Sequence, residues 1–152
     1  MERIVYTKAG GLDSIAIDEF QETTPGNGEV RVRVSRAGIN FADLMMRQGL
    51  YGSAPDFPFT PGYEASGVIS AIGEGVEGLE VGQRVLAMTG FGGYSQSVQI
   101  SAERAIPIPD EMSHDAAASL GVTYGTAYHM LVHLGNLRAG DSVLIHHAAG
   151  GV

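Results

Sequence analysis

The sequence predicts a mainly β protein with short helices, arranged as a partly open barrel or sandwich. Residues 29–35 alternate Val30, Val32 and Val34 with Arg31 and Arg33, the period of two that buries one face of a strand and leaves the other in water. Short apolar runs then follow one another at close spacing, as in all-β domains rather than βαβ arrays. Glycine fills 22 of the 152 positions, about twice the usual share of roughly 7%. With 44% hydrophobic residues and no G-X-Y period, those glycines belong to the turns of a folded protein.

Taken in order, residues 1–8 read as a strand, and Ile15 and Ile17 mark a second one beside Gly10-Gly11. After the valine strand, Asn40-Phe-Ala-Asp43 has the form of a capping box opening a short helix that stops at Gly49. Further strands are expected at 65–72, 83–88, 94–100 and 104–108, separated by Gly73, Gly75, Gly78, Gly82, Gly90 and Gly92-Gly93. Past Pro109 the character changes. Ser113 is an N-cap before three alanines, a second helical stretch covers 126–134, and residues 142–146 form a short apolar strand running into Gly150-Gly151.

Composition narrows the function. Nine Lys+Arg against 17 Asp+Glu leave a net charge of −8, which opposes nucleic-acid binding because phosphate neutralisation needs a basic footprint. With no cysteine, disulfides, thiolate catalysis and cysteine-held zinc are excluded. Residues 116–137 carry no Asp, Glu, Lys or Arg, but Ser119, Gly121, Thr123, Gly125, Thr126 and the histidines interrupt the apolar run. That stretch is expected as a buried helix of a soluble, cytoplasmic protein without stable membrane insertion. His129 and His133 share a helix face, yet no third ligand accompanies them.

A strand ending in a glycine pair is how a dinucleotide-binding unit begins, since glycine lets the backbone approach a pyrophosphate. Alone the pair is a weak signal; its context strengthens it. The ordered set Ala37-Gly-Ile-Asn-Phe-Ala-Asp43, Arg47-Gln-Gly-Leu-Tyr51, Pro61-Gly-Tyr-Glu-Ala-Ser-Gly67, Gly73-Glu-Gly-Val76, Gly82-Gln-Arg-Val85, Gly140-Asp-Ser-Val-Leu144 and Ala148-Ala-Gly-Gly-Val152 resembles the zinc-free quinone oxidoreductase branch of the medium-chain dehydrogenase/reductase superfamily. Its first two stretches are similar to the vesicle amine transport protein homologues of that branch.

The resemblance implies a GroES-like, partly open β-barrel over residues 1–122, followed by the first strand of a truncated Rossmann domain over 123–152. It implies an oxidoreductase that passes hydride from NADPH to a quinone or related conjugated carbonyl, and a homodimer when full-length. Zinc-dependent relatives hold their metal with a cysteine at the position of Asn40 and a histidine at that of Tyr63. An amide and a phenol are poor zinc ligands, so no metal is expected. Asn40 and Tyr51 match positions lining the nicotinamide and substrate cleft. Asn40, Thr126, Gly150, Gly151 and Val152 match cofactor contacts, and Glu64 is expected as a structural carboxylate near the cleft. Two alternatives stand beside this reading: a 2-alkenal or enoyl reductase, and a nonenzymatic vesicle- or membrane-associated binding protein of the same fold.

Overall fold

The computed structural model describes residues 1–152. Strand β1 (Glu2–Tyr6) pairs antiparallel with β2 (Ile15–Glu19), Ile4 opposite Ile17. The valine strand is β3 (Glu29–Ala37), which lies between β6 and β4 in a five-stranded antiparallel sheet made with β4 (Glu64–Ile72), β5 (Arg84–Met88), β6 (Ser97–Ser101) and β7 (Ala105–Pro107). Their spatial order is β6-β3-β4-β5-β7. Ile4 N–H donates to Tyr94 O at 2.8 Å and Gln96 N–H to Glu2 O at 2.9 Å, so β1 extends the sheet beyond β6 and begins to close it.

Val30 and Val32 are completely buried, and with Ile69, Val85, Ala87, Ile100 and Ala105 they make the main core. Each such side chain contributes about 1.5–3 kcal/mol relative to full exposure. The alternation does not run the whole strand. Register shifts fall between Arg31 and Val32 and between Val34 and Arg36, and Val34 is only half-buried. Bulges of this kind add twist and bend a strand, which curls the sheet toward a barrel.

A second, aromatic core of Tyr6, Met46 and Phe59 is packed by Tyr51, Phe57, Tyr63 and Phe91. Helix α1 (Phe41–Arg47) supplies Met46 and directs Asp43 inward from the turn before it, the i, i+3 spacing of one helix face. Helix α2 (His114–Ala118) is capped as expected, the Ser113 hydroxyl oxygen accepting from Ala116 N–H at 3.1 Å.

Three features of the C-terminal segment differ from expectation. Helix α3 (Thr123–Tyr128) begins three residues before the anticipated start and continues as a π-helix over His129–Leu134, widened by a bond from Gly135 N–H to Met130 O. The segment is not buried: Tyr124, Tyr128, Met130 and Leu134 stand exposed, because no strand or sheet covers their side. Residues 142–146 are not a strand. A strand exists through ladder bonds to a neighbour, and neither sheet reaches these residues. No helix is long and apolar enough to cross a membrane.

Candidate active site

Glu64 opens β4 at the mouth of the sheet and is 1% exposed. Its Oε1 accepts from the Asn40 side-chain amide nitrogen at 3.0 Å, and its Oε2 accepts from Val122 N–H at 2.7 Å. Asn40 lies at the N-cap of α1, where a capping box forms with Asp43: Asn40 N–H donates to Asp43 Oδ2 at 2.8 Å. The same oxygen takes the Tyr94 hydroxyl at 2.8 Å. Asp43 is itself fully buried, its Oδ1 without a partner, as is Arg47 Nη1.

Tyr51 follows α1 and lies beside Tyr63, ring centroids 6.4 Å apart. Tyr63 in turn stacks obliquely on Phe91 at 5.3 Å. Burial pushes the Tyr63 phenol up to about 12, and hydrogen bonding with Tyr51 adds to it. A phenol held this way keeps its proton, and so remains a hydrogen-bond donor across the physiological range.

Apart from Asn40, the expected cofactor residues fall on the other side of Glu64. Thr126 is exposed on α3, and its N–H donates to Val122 O at 2.9 Å; Thr126 is thus one turn beyond the amide that Glu64 holds. The glycine pair folds back against the start of that helix, a Cβ built on Gly151 lying 3.2 Å from Thr123 Cγ2. Gly150 N–H closes a turn on His147 O at 2.8 Å, and Val152 is exposed beside it. His129 and His133 stack with centroids 5.4 Å apart, Tyr128 edging His133 at 5.5 Å. A cavity of about 420 Å³ lies elsewhere, between β1, β2 and the end of β3, with Ile4, Ile17, Val34 and Ile39 in its lining; neither Asn40 nor Tyr51 lines it.

Two parts of this arrangement were not anticipated from the sequence. In the sequence Tyr94 marks only the start of an expected strand, and the Ser66–His114 pair, Oγ to Nδ1 at 2.8 Å, has no local signal because it joins β4 to α2. Asp43 was visible through its spacing from Asn40, but not its burial.

Residues 26–110 match the alcohol dehydrogenase GroES-like domain, which is more than half of the chain. The chain belongs to that family. Within it the domain is of the quinone oxidoreductase type, in the medium-chain dehydrogenase/reductase superfamily. It is 44% identical over 151 residues to the rat synaptic vesicle membrane protein VAT-1 homolog, covering 98% of this chain and 37% of that protein. The human VAT-1 homolog-like structure superposes with a TM-score of 0.94 at 40% identity, over 99% of this chain and 50% of that one. Escherichia coli quinone oxidoreductase complexed with NADPH gives a TM-score of 0.81 at 34% identity, over 86% and 40%. The CurK enoyl reductase gives 0.90 at 34%, over 99% and 48%. The chain therefore spans well under half of the curated relative's length and at most half of these solved chains. For this GroES-like domain the curled antiparallel sheet and few short helices are the family's own architecture.

Proposed function

We propose that residues 1–122 are the substrate-binding domain, and residues 123–152 the start of the cofactor domain, of a zinc-independent oxidoreductase that reduces quinones or related conjugated carbonyls with NADPH. The observation that carries this is the hydrogen-bonding character of the cleft residues. An amide, Asn40, and a proton-retaining phenol, Tyr63, occupy the two positions where zinc-dependent relatives place metal ligands, and Tyr51 adds a second phenol beside Tyr63. Amide and phenol hydrogens suit an acceptor oxygen that gains charge on reduction.

NADPH fits the residues on the far side of Glu64. Gly151 lies close against Thr123, where a Cβ would stand 3.2 Å from its Cγ2, and Thr126 is exposed one turn away. Gly150, Gly151 and Val152 would hold the pyrophosphate, and Asn40 and Thr126 the nicotinamide end. When bound, NADPH supplies the hydride. Asn40 and Tyr51 orient the acceptor oxygen and stabilise its developing charge. Full-length protein is expected to be a cytoplasmic homodimer acting on small molecules, and the 152-residue chain alone to bind NADPH weakly.

The test follows NADPH absorbance in the protein that joins this chain to a cofactor domain, with a benzoquinone and with a 2-alkenal. Oxidation with benzoquinone is the expected result. A preference for the alkenal would make it an enoyl reductase, and no oxidation with either would overturn the reading. Liposome flotation without NADPH binding would favour a nonenzymatic membrane-associated protein.

A further inference from the structure

We infer that Glu64 is a positioning residue for this reduction, one carboxylate that holds the Asn40 carboxamide with one oxygen and the start of the Thr126 helix with the other. The inference rests on the oxidoreductase reading above and adds to it how the acceptor side and the cofactor side are held in register.

Glu64 is almost completely buried and takes part in none of the ion pairs, which are Arg3–Asp18, Lys8–Asp13, Arg31–Glu22 and Arg36–Asp115. A buried carboxylate without a cation is costly, and an apolar side chain of similar volume would serve packing alone at least as well. The charge is compensated by two N–H donors, Asn40 Nδ2 at 3.0 Å and Val122 N at 2.7 Å, which come from segments far apart in the chain.

The seat of the carboxylate is enforced on both sides by glycine. A Cβ on Gly38 would collide with Glu64 Oε1 and with Ala118 O, and one on Gly121 would stand 2.9 Å from Glu64 Oε2 and collide with Met88 Sδ. A Cβ at either place would crowd one of the two carboxylate oxygens.

Orientation follows from donor and acceptor chemistry. An ionised carboxylate only accepts, so the nitrogen of the Asn40 amide must face it. That selects one of the two flips of the carboxamide and leaves its second Nδ2 hydrogen for an acceptor oxygen or the nicotinamide amide. On the other side, Val122 N–H is one of the unpaired donors that begin a helix, and Thr126 is bonded to the carbonyl of the same residue. Moving Glu64 would therefore displace both the acceptor's donor group and the helix that carries Thr126.

The experiment uses two variants and two kinds of readout. Glu64→Gln keeps the volume but offers one acceptor and one donor group, so it cannot accept from both partners in the native way; Gly121→Ala crowds the carboxylate while leaving Glu64 itself unchanged. In the 152-residue chain, amide exchange at Val122 is expected to accelerate about tenfold or more in both variants, and the Asn40 side-chain amide resonances to shift. In the protein with its cofactor domain, both are expected to lower kcat about tenfold while the acceptor KM changes less than about twofold. Losses from Glu64→Gln and Asn40→Ala should be strongly non-additive, because one acts through the other; a carboxylate of purely structural importance would give additive losses. Unchanged Val122 exchange, unchanged kcat, or additive losses would overturn the inference. Should the unsubstituted protein oxidise no NADPH with either acceptor, the oxidoreductase reading falls, and Val122 exchange together with the Asn40 resonances still decides whether Glu64 holds both segments.

Discussion

The Tyr94 hydroxyl donates to Asp43 Oδ2 at 2.8 Å, and the backbone N–H of Asn40 donates to that same oxygen at 2.8 Å. One carboxylate oxygen thus ties the loop before β6 to the first turn of α1, while Asp43 Oδ1 is buried without a partner. Tyr94→Phe would take away one of the two bonds that compensate this buried group. The expected loss is about 1–3 kcal/mol of unfolding free energy in urea, against about 0.5 kcal/mol or less for Tyr124→Phe at an exposed position. Equal effects of the two substitutions would show that the Tyr94 bond carries no special weight.

Asn40→Asp places a second carboxyl where Asn40 Nδ2 now meets Glu64 Oε1 at 3.0 Å. Two carboxylates at that separation cannot both ionise in a buried site, so one is driven to hold a proton. The folded variant then binds a proton that the unfolded chain has released, and its stability falls as pH rises above the ordinary carboxylate range. Thermal melts should show the variant's deficit relative to the parent widening from about pH 5 to about pH 8. A deficit independent of pH would show that the two carboxyls do not interact.

His114 gives the opposite dependence. Ser66 Oγ donates to Val85 O at 2.9 Å, so the 2.8 Å contact with His114 uses hydrogen from the imidazole Nδ1. Burial, then the positive charges of Arg84 and Arg36, hold the imidazole below its ordinary 6.5, with Asp115 opposing them. The unfolded chain therefore takes up a proton that the folded one resists, and stability is lost as pH falls below 6.5. His114→Gln should flatten the dependence of melting temperature on pH between about 5 and about 7. An unaltered slope would assign the effect to other groups.

On the alkaline side, burial and the Tyr51 bond hold Tyr63 at about 12. Tyr94 is raised by burial, by the charge of Asp43 and by its bond to it. The folded chain retains phenol protons that the unfolded chain gives up near 10, so stability declines as pH climbs past that value. Phenolate absorbance at about pH 11 should be smaller in the folded protein than in the unfolded one, and Tyr63→Phe should leave the folded amplitude unchanged. A loss of folded amplitude in that variant would mean that Tyr63 already ionises there.

Residue periodicity and spacing within one turn make the local elements legible in the sequence. Val30 and Val32 announced a buried strand face, Ser113 announced a cap, and the three-residue spacing of Asn40 and Asp43 announced the opening of α1. Reading failed where the outcome depends on a neighbour from elsewhere in the chain. Residues 142–146 have the composition of a strand but no partner strand, and the helical stretch after Val122 is apolar in composition yet uncovered. The candidate site divides the same way. Asn40, Tyr51, Thr126 and Gly150-Gly151-Val152 were identifiable by residue type and motif order, whereas the Glu64 fork and the Tyr94–Asp43 bond were not.

By itself the sequence determined the mainly β character with short helices, the family motifs and the exclusion of cysteine chemistry, because strand alternation, capping and residue type act over a few neighbouring positions. Only the tertiary structure decided that Glu64 faces both Asn40 and Val122 and that Gly38 and Gly121 leave room for it. Those contacts join Glu64 to residues 24 and 58 positions away, and a buried carboxylate acquires its partners only when the sheet and helices have closed around it.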